Sequence, residues 1–225
     1  MLKDSTRIGP TAAIIGSVLL FIGTWLHPMS ADPNVPSAAF AEYAADHHWV
    51  ASHLMQLLGV ILMMAALLLL SQRLSECPVA TWAALGAAGA VASIALAGAL
   101  QAVDGVALKA MIDAWARSAE PRKALLFEAA FGVRQIEIGL AAMLGLIAGL
   151  TVSVYGIALL LDQRFPRWIG IGALGGGPLT AVAGVVTAYT GFSALSMSIN
   201  LPAGLLLICW MIALGAYGWN RLNFS

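Results

Sequence analysis

Long apolar stretches alternate with short polar ones along the whole chain. The hydrocarbon core of a bilayer is about 30 Å thick, so a helix needs about 20 apolar residues to cross it with its backbone groups bonded internally. Six stretches meet this condition. We predict an all-α fold, a polytopic transmembrane helix bundle in one domain over residues 1–225, with spans at about 8–27, 51–71, 79–102, 138–161, 168–192 and 202–219.

The polar connections between the spans differ in length and pattern. The joins at 72–78 and 162–167 are short and lie on one side of the bundle. The opposite side has a helical candidate at 36–47 and a long connection at 104–137, which Pro121 divides. These segments predict short amphipathic helices that cap the outer face. Two apolar stripes carry the prediction for the long connection: Leu108, Met111, Ile112 and Trp115, then Leu126, Ala129, Val133, Ile136 and Leu140.

Glycines indicate where the spans pack closely. Gly145 and Gly149, like Gly172 and Gly176, are pairs of small residues four apart, which let helix backbones approach each other. The sequence "GGGP" at 175–178 predicts a loosened or kinked fifth span. A broken span is also a feature of transporter binding sites, so a transporter is one alternative.

The composition agrees with a membrane protein. Residues of the hydrophobic class make up 60% of the chain and charged residues 10%, and the mean hydropathy is +0.88. The net charge of zero gives no indication of nucleic acid as a partner. The side of the termini has six basic and three acidic residues, and the other side has five basic and eight acidic residues. We therefore expect both termini on the cytoplasmic side of the membrane.

Polar residues inside spans are costly and are candidates for function. Here they concentrate at the outer ends of four spans. Three spans carry an i, i+3 pair on one face, and if these faces converge they line an outward-facing pocket. Polar side chains that merely reach for the headgroups are the alternative. The candidate pocket residues are His53, Gln56, Gln101, Asp104, Arg134, Gln135 and Glu137.

All four histidines lie between residues 27 and 53. His47 and His48 are expected to be solvated boundary residues next to Trp49, an interfacial anchor. His27 and His53 are expected at similar depths in the membrane. A metal site with Asp104 or Glu137 requires this arrangement, and so does a bis-imidazole haem. No haem-attachment or HExxH motif is present, so the cofactor stays unknown.

The chain resembles a family of bacterial membrane proteins, domain of unknown function 4386. The resemblance rests on the six spans, on "SAAFAEYAADHHWVASHLMQLLGVIL", and on the turn "GIALLLDQRFPRWIGIGAL", where Pro166, Arg167 and Trp168 are similar to the family's start of span five. It covers most of the chain and implies the six-helix architecture of a bacterial inner-membrane protein. It implies no activity.

Three functional hypotheses follow. The leading one is binding of a small or lipidic molecule in the outer pocket, as a carrier, a sensor or an accessory subunit. The second is a membrane-embedded enzyme for a lipid or isoprenoid substrate, with Asp104 or Glu137 as acid or base beside His53. The third is a structural subunit of a membrane complex or homo-oligomer. All three have the lipid bilayer as a partner.

Overall fold

The computed structural model describes residues 7–75 and 78–222, and in these ranges it contains helices and no strand. The predicted all-α class is confirmed. A seven-residue π-helical segment, Ala102–Leu108, joins the helix at Ala80–Gln101 to the helix at Lys109–Ala116 without a break. The helices are α1 Ile8–Leu26, α2 Pro36–Ala45, α3 Trp49–Leu74, α4 Ala80–Gln101, α5 Lys109–Ala116, α6 Arg122–Leu161, α7 Arg167–Thr190 and α8 Ala194–Leu222.

Within the described ranges, six helices are long and apolar enough to cross a bilayer: α1, α3, α4 with its continuation, α6, α7 and α8. Each packs against its neighbours along the chain, and α8 returns to α1, so the six form a closed ring. The Arg7 guanidinium lies 5.1 Å from the centre of the Trp219 ring, which places the start of α1 and the end of α8 together. We call the opposite end, which contains residues 27, 53, 104 and 137, the polar end.

The helices of the ring approach each other through glycines. A Cβ added at Gly149 of α6 would lie 2.6 Å from the carbonyl oxygen of Gly177 in α7, and one at Gly184 would lie 2.6 Å from the Ala142 oxygen. The α7 helix continues through Pro178, so "GGGP" does not interrupt it. Gly177 of that sequence serves as a contact surface for α6, because only a residue without a side chain fits there.

A small helical cap covers the polar end, as predicted. Its own hydrophobic core joins α2, the start of α3, the π-helical segment, α5 and the start of α6 through Phe40, Tyr43, Trp49, Leu108, Ile112 and Ala130. The Lys109 ammonium donates hydrogen bonds to the carbonyl oxygens of Tyr43 and Ala44 at 2.8 and 3.1 Å, and so holds the end of α2.

Two details of the cap differ from the sequence prediction. The helix predicted at the start of the 104–137 connection is a continuation of α4. The π-helical segment continues the backbone hydrogen bonding across residues 102–108. The second stripe is packed only in part: Val133 lies against the core of the cap, whereas Ile136 is 57% exposed. The fully buried residues of this part of α6 are Ala130, Arg134 and Glu137. In a bilayer protein an apolar stripe is as stable against lipid as against protein, so it does not by itself mark the packed face.

Candidate functional site

A cavity of about 740 Å³ opens at the polar end of the ring. Residues 28–34, which connect α1 to α2, form one wall, and α3, α4, α6 and α8 contribute the others. Six predicted residues line it: His27, Gln56, Gln101, Asp104, Arg134 and Glu137. His53 is 1% exposed and lies behind Asp104, outside the lining. Gln135 is exposed and is not part of the lining, because its position on α6 is one residue away from the inward face.

His53 and Asp104 form a buried hydrogen-bonded pair. His53 Nε2 lies 3.0 Å from Asp104 Oδ2, and His53 Nδ1 lies 2.6 Å from the carbonyl oxygen of Trp49. A carbonyl oxygen only accepts hydrogen bonds, so Nδ1 carries a hydrogen. The contact between Nε2 and Oδ2 also needs one hydrogen, and the pair therefore shares a proton.

The backbone around this pair is arranged to fit it. Asp104 and Gly105 lie in the π-helical segment, whose wider turn is a frequent feature of functional sites. A Cβ at Gly105 would lie 2.7 Å from the Cβ of His53, so glycine is required for the imidazole to reach Asp104. The Trp49 indole N–H donates to the Asp104 carbonyl oxygen at 3.1 Å and fixes the segment against α3.

His27 follows the last residue of α1, and its ring packs against His53 and Trp49. Its ring centre lies 5.0 Å from that of His53 and 4.8 Å from that of Trp49. His27 Nδ1 donates to the Pro28 carbonyl oxygen at 2.8 Å, which leaves Nε2 as the nitrogen available to a ligand. The two imidazoles are in contact, so no porphyrin fits between them and the haem alternative has no structural support.

Arg134 and Glu137 form a second buried pair, on α6. Arg134 NH1 lies 3.3 Å from Glu137 Oε2, and NH2 donates to the Pro33 carbonyl oxygen at 3.2 Å. The Arg134 guanidinium also lies 5.4 Å from the ring centre of Tyr43 and 5.5 Å from that of Phe192. Burial raises the pKa of Tyr43 to about 12, so its ring is a neutral phenol beside this cation. Arg134 thus links α6 to three segments of the cavity wall.

Gln56 and Gln101 meet across α3 and α4. Gln101 Nε2 donates to Gln56 Oε1 at 3.2 Å. Gln101 Oε1 and Asp104 Oδ1 are buried acceptors without a hydrogen-bond partner in the described part of the chain. A buried acceptor without a partner loses about 1–3 kcal/mol of solvation, which a bound molecule can restore. Both residues line the cavity.

Sequence reasoning misassigned Trp49 and missed Asn200. Trp49 is 1% exposed and lies in the core of the cap, so its assignment as an interfacial anchor is wrong. Asn200 lines the cavity because α8 begins at Ala194, eight residues before the predicted span. Its amide donates to Ser196 Oγ at 3.0 Å and to Thr187 Oγ1 at 3.2 Å. The i, i+4 spacing of Ser196 and Asn200 was the available signal.

The site places restrictions on the enzyme hypothesis. A general base must come within hydrogen-bond reach of the substrate. His53 is enclosed by Trp49, Gly105 and Asp104, so a molecule in the cavity meets Asp104 and not the imidazole. Glu137 faces the cavity, but its carboxyl group is paired with Arg134.

His47 and His48 are exposed, as expected for boundary residues, and neither is part of the cavity lining. They are useful controls for the two histidines of the site. In comparisons with known proteins, the chain matches no protein-family model, no curated protein and no solved structure.

Proposed function

We propose that the protein binds a small or lipidic molecule in the cavity at the polar end of a membrane-embedded bundle. The observation that carries this proposal is a pair of buried acceptors, Gln101 Oε1 and Asp104 Oδ1, that have no hydrogen-bond partner among the described residues and belong to side chains lining a 740 Å³ cavity. Small-molecule sites in proteins have volumes of about 300–1,000 Å³ and combine apolar walls with a few convergent polar groups.

The lining indicates the chemistry of the ligand. Two free acceptors favour a group that donates hydrogen bonds, such as a hydroxyl, an amide or an ammonium group. The walls beside them include Leu100, Ala141 and Met197, which favour an apolar body. The best fit is an amphipathic molecule with a donor head group at Gln101 and Asp104 and a carbon skeleton along α6 and α8.

The supporting contacts are those of a pre-formed site. Glu42 and Arg134 attach the wall at residues 28–34 to α2 and to α6. The Gln101 amide is held by Gln56, and Asp104 by His53, so both acceptors keep their orientation before a ligand arrives. Ordering costs on binding are therefore small. A role as a carrier, a sensor or an accessory subunit is consistent with such a site.

Native mass spectrometry of the purified protein tests the proposal. We expect the wild-type protein to retain a co-purified molecule, visible as a mass above that of the bare chain. Gln101→Leu removes one free acceptor and places an apolar group at the cavity wall, and this variant should lose the additional mass.

Gln135→Leu is the matched control, because it makes the same change at an exposed position outside the cavity. It should retain the bound molecule. A wild-type protein without additional mass, or the same retention in both variants, would contradict the proposed binding site.

A further inference from the structure

We propose that His27, His53 and Asp104 bind one divalent transition-metal ion at the edge of the cavity. One donor atom from each residue lies within 4.8 Å of the other two. Two imidazoles and a carboxylate are a ligand set for zinc, iron(II), cobalt(II) and similar ions. The inference stands on these three side chains and does not require the organic ligand of the proposed function.

The orientation of both imidazoles fits metal binding. A metal-bound histidine generally donates its other ring N–H to a carbonyl or a carboxylate, which fixes the ring. His53 does so to the Trp49 carbonyl oxygen at 2.6 Å, and His27 to the Pro28 carbonyl oxygen at 2.8 Å. In each ring Nε2 is then the nitrogen directed to a metal.

The burial of Asp104 is an independent observation that points to a ligand. The residue is 9% exposed, and its Oδ1 atom is buried with no hydrogen-bond partner among the described residues. A carboxylate oxygen left in this state is destabilising. A cation bound by both oxygens of the carboxylate removes that cost, and a molecule in the cavity then meets Gln101 Oε1 and the cation in place of Asp104 Oδ1.

The spacing of the donors shows what must move. Donors around a tetrahedral ion with bonds of about 2.0–2.1 Å lie about 3.3 Å apart. His53 Nε2 and Asp104 Oδ2 are already 3.0 Å apart. His27 is partly exposed and lies just beyond the last residue of α1, so it is the ligand that can shift to close the site.

The expected centre has three protein ligands and at least one open position. His27 and Asp104 line the cavity, so the open position faces it. Binding replaces the proton shared by His53 and Asp104, because the metal takes the place of that hydrogen. One proton should therefore be released for each ion bound.

The test uses tag-free protein, treated with a chelator, dialysed and titrated with Co²⁺ in detergent. We expect visible d–d absorption that saturates at one Co²⁺ per chain, is abolished by Zn²⁺, and is accompanied by release of one proton. Asp104→Asn and His27→Ala should each weaken Co²⁺ binding by about 100-fold or more, since loss of an outer-shell partner alone costs about 10–100-fold.

A variant with His47→Ala and His48→Ala is the control and should bind Co²⁺ like the wild type, because both residues are exposed and outside the site. Circular dichroism and size-exclusion chromatography identify variants that do not fold; His27→Gln, at a partly exposed position, then replaces the failed variant. Absence of a saturating band in the wild type, or unchanged binding in the site variants, would overturn the proposal.

The Gln101→Leu variant separates this inference from the proposed function. It should bind Co²⁺ normally while losing the co-purified molecule. If Co²⁺ binding fails and the co-purified molecule is retained, the metal proposal is wrong and the organic site stands.

Discussion

Arg134 and Glu137 are the most deeply buried charged pair on α6, at 3% and 4% exposure. A buried ion pair contributes little net stability, but removal of one partner leaves the other as an uncompensated charge. The Arg134 guanidinium has further partners in Pro33, Tyr43 and Phe192, so it also holds the cavity wall.

The buried ion pair predicts that a single substitution destabilises the protein and that a double substitution does so much less. Arg134→Met should lower the free energy of unfolding by about 3–5 kcal/mol, because Glu137 is left without its cation. Arg134→Met combined with Glu137→Met should recover most of the loss. Equilibrium unfolding by denaturant in detergent measures both effects.

Arg122→Met on the exposed surface of α6 is the control and should change the unfolding free energy by less than about 0.5 kcal/mol. A double variant as unstable as Arg134→Met would show that the loss comes from packing and not from the unpaired carboxylate.

At the scale of the elements, α6 and α7 are joined by glycine contacts that leave no room for a side chain. Gly149→Ala places a methyl group 2.6 Å from the Gly177 carbonyl oxygen, an overlap with backbone that only a shift of the helices can relieve. We expect a loss of about 1–3 kcal/mol in unfolding free energy.

Gly139→Ala in the same helix is the matched control. A Cβ there meets no heavy atom within 4 Å, so the better helix propensity of alanine should stabilise α6 slightly. Thermal unfolding of the two variants should therefore shift in opposite directions. A loss of the same size in both would indicate a general intolerance of alanine in α6.

The first part of the connection between α1 and α2 is bonded to the Glu42 carboxylate of α2. Glu42 accepts hydrogen bonds from the backbone N–H groups of Ser30 at 2.9 Å and Ala31 at 2.8 Å. Partial burial raises the pKa of Glu42, but the hydrogen bonds from Ala31 and Ser30 outweigh it, and the net direction is downward from 4.5. A lowered pKa means that the charged form is stabilised in the folded protein.

The stabilisation is therefore present above pH 4.5 and is lost as the pH falls through the folded-state pKa. Hydrogen–deuterium exchange at Ser30 and Ala31, compared with intrinsic rates, should show protection at pH 7. This protection should disappear below the folded-state pKa of Glu42. Glu42→Gln should accelerate exchange at both amides about tenfold at pH 7. Glu128→Gln on the exposed side of α6 should leave it unchanged. Protection that persists at low pH would contradict the role of the carboxylate.

At the scale of the whole molecule, the ring brings the start of α1 and the end of α8 to the end opposite the cavity. The contact between Arg7 and Trp219 supports this arrangement. Which end faces the cytoplasm is a prediction from the charge bias, part of which comes from residues 1–6 and 76–77, outside the described residues. We predict that the cavity faces outward.

Cysteine labelling in intact cells tests this orientation. In a background without Cys77 and Cys209, Arg117→Cys at the polar end should react with an impermeant maleimide, and Gln163→Cys at the other end should not. Both positions are exposed. Gln163 is preferable to Arg164, whose side chain bonds Asp162 and the Arg73 carbonyl oxygen. Labelling of Gln163→Cys and not of Arg117→Cys would reverse the orientation.

The sequence by itself determined the all-α class and the six long apolar helices. Backbone groups in hydrocarbon must bond within their own segment, and about 20 residues are needed to cross, so length and polarity alone identify such helices. The same reasoning located polar residues at one end of four spans. Five of the seven pocket candidates line the cavity, and a sixth, His53, is hydrogen-bonded to the lining residue Asp104.

Only the tertiary structure decided which of these residues meet, because a chain read as separate helices carries no information on how each one rotates about its axis. Ile136 and Gln135 face outward while Glu137 lies inward, although all three are neighbours on α6. The contact of His53 with Asp104 depends on the π-helical turn and on the space above Gly105. These features arise from packing between α3 and α4, and apolar periodicity does not reveal them, since lipid and protein are equally acceptable neighbours for an apolar face.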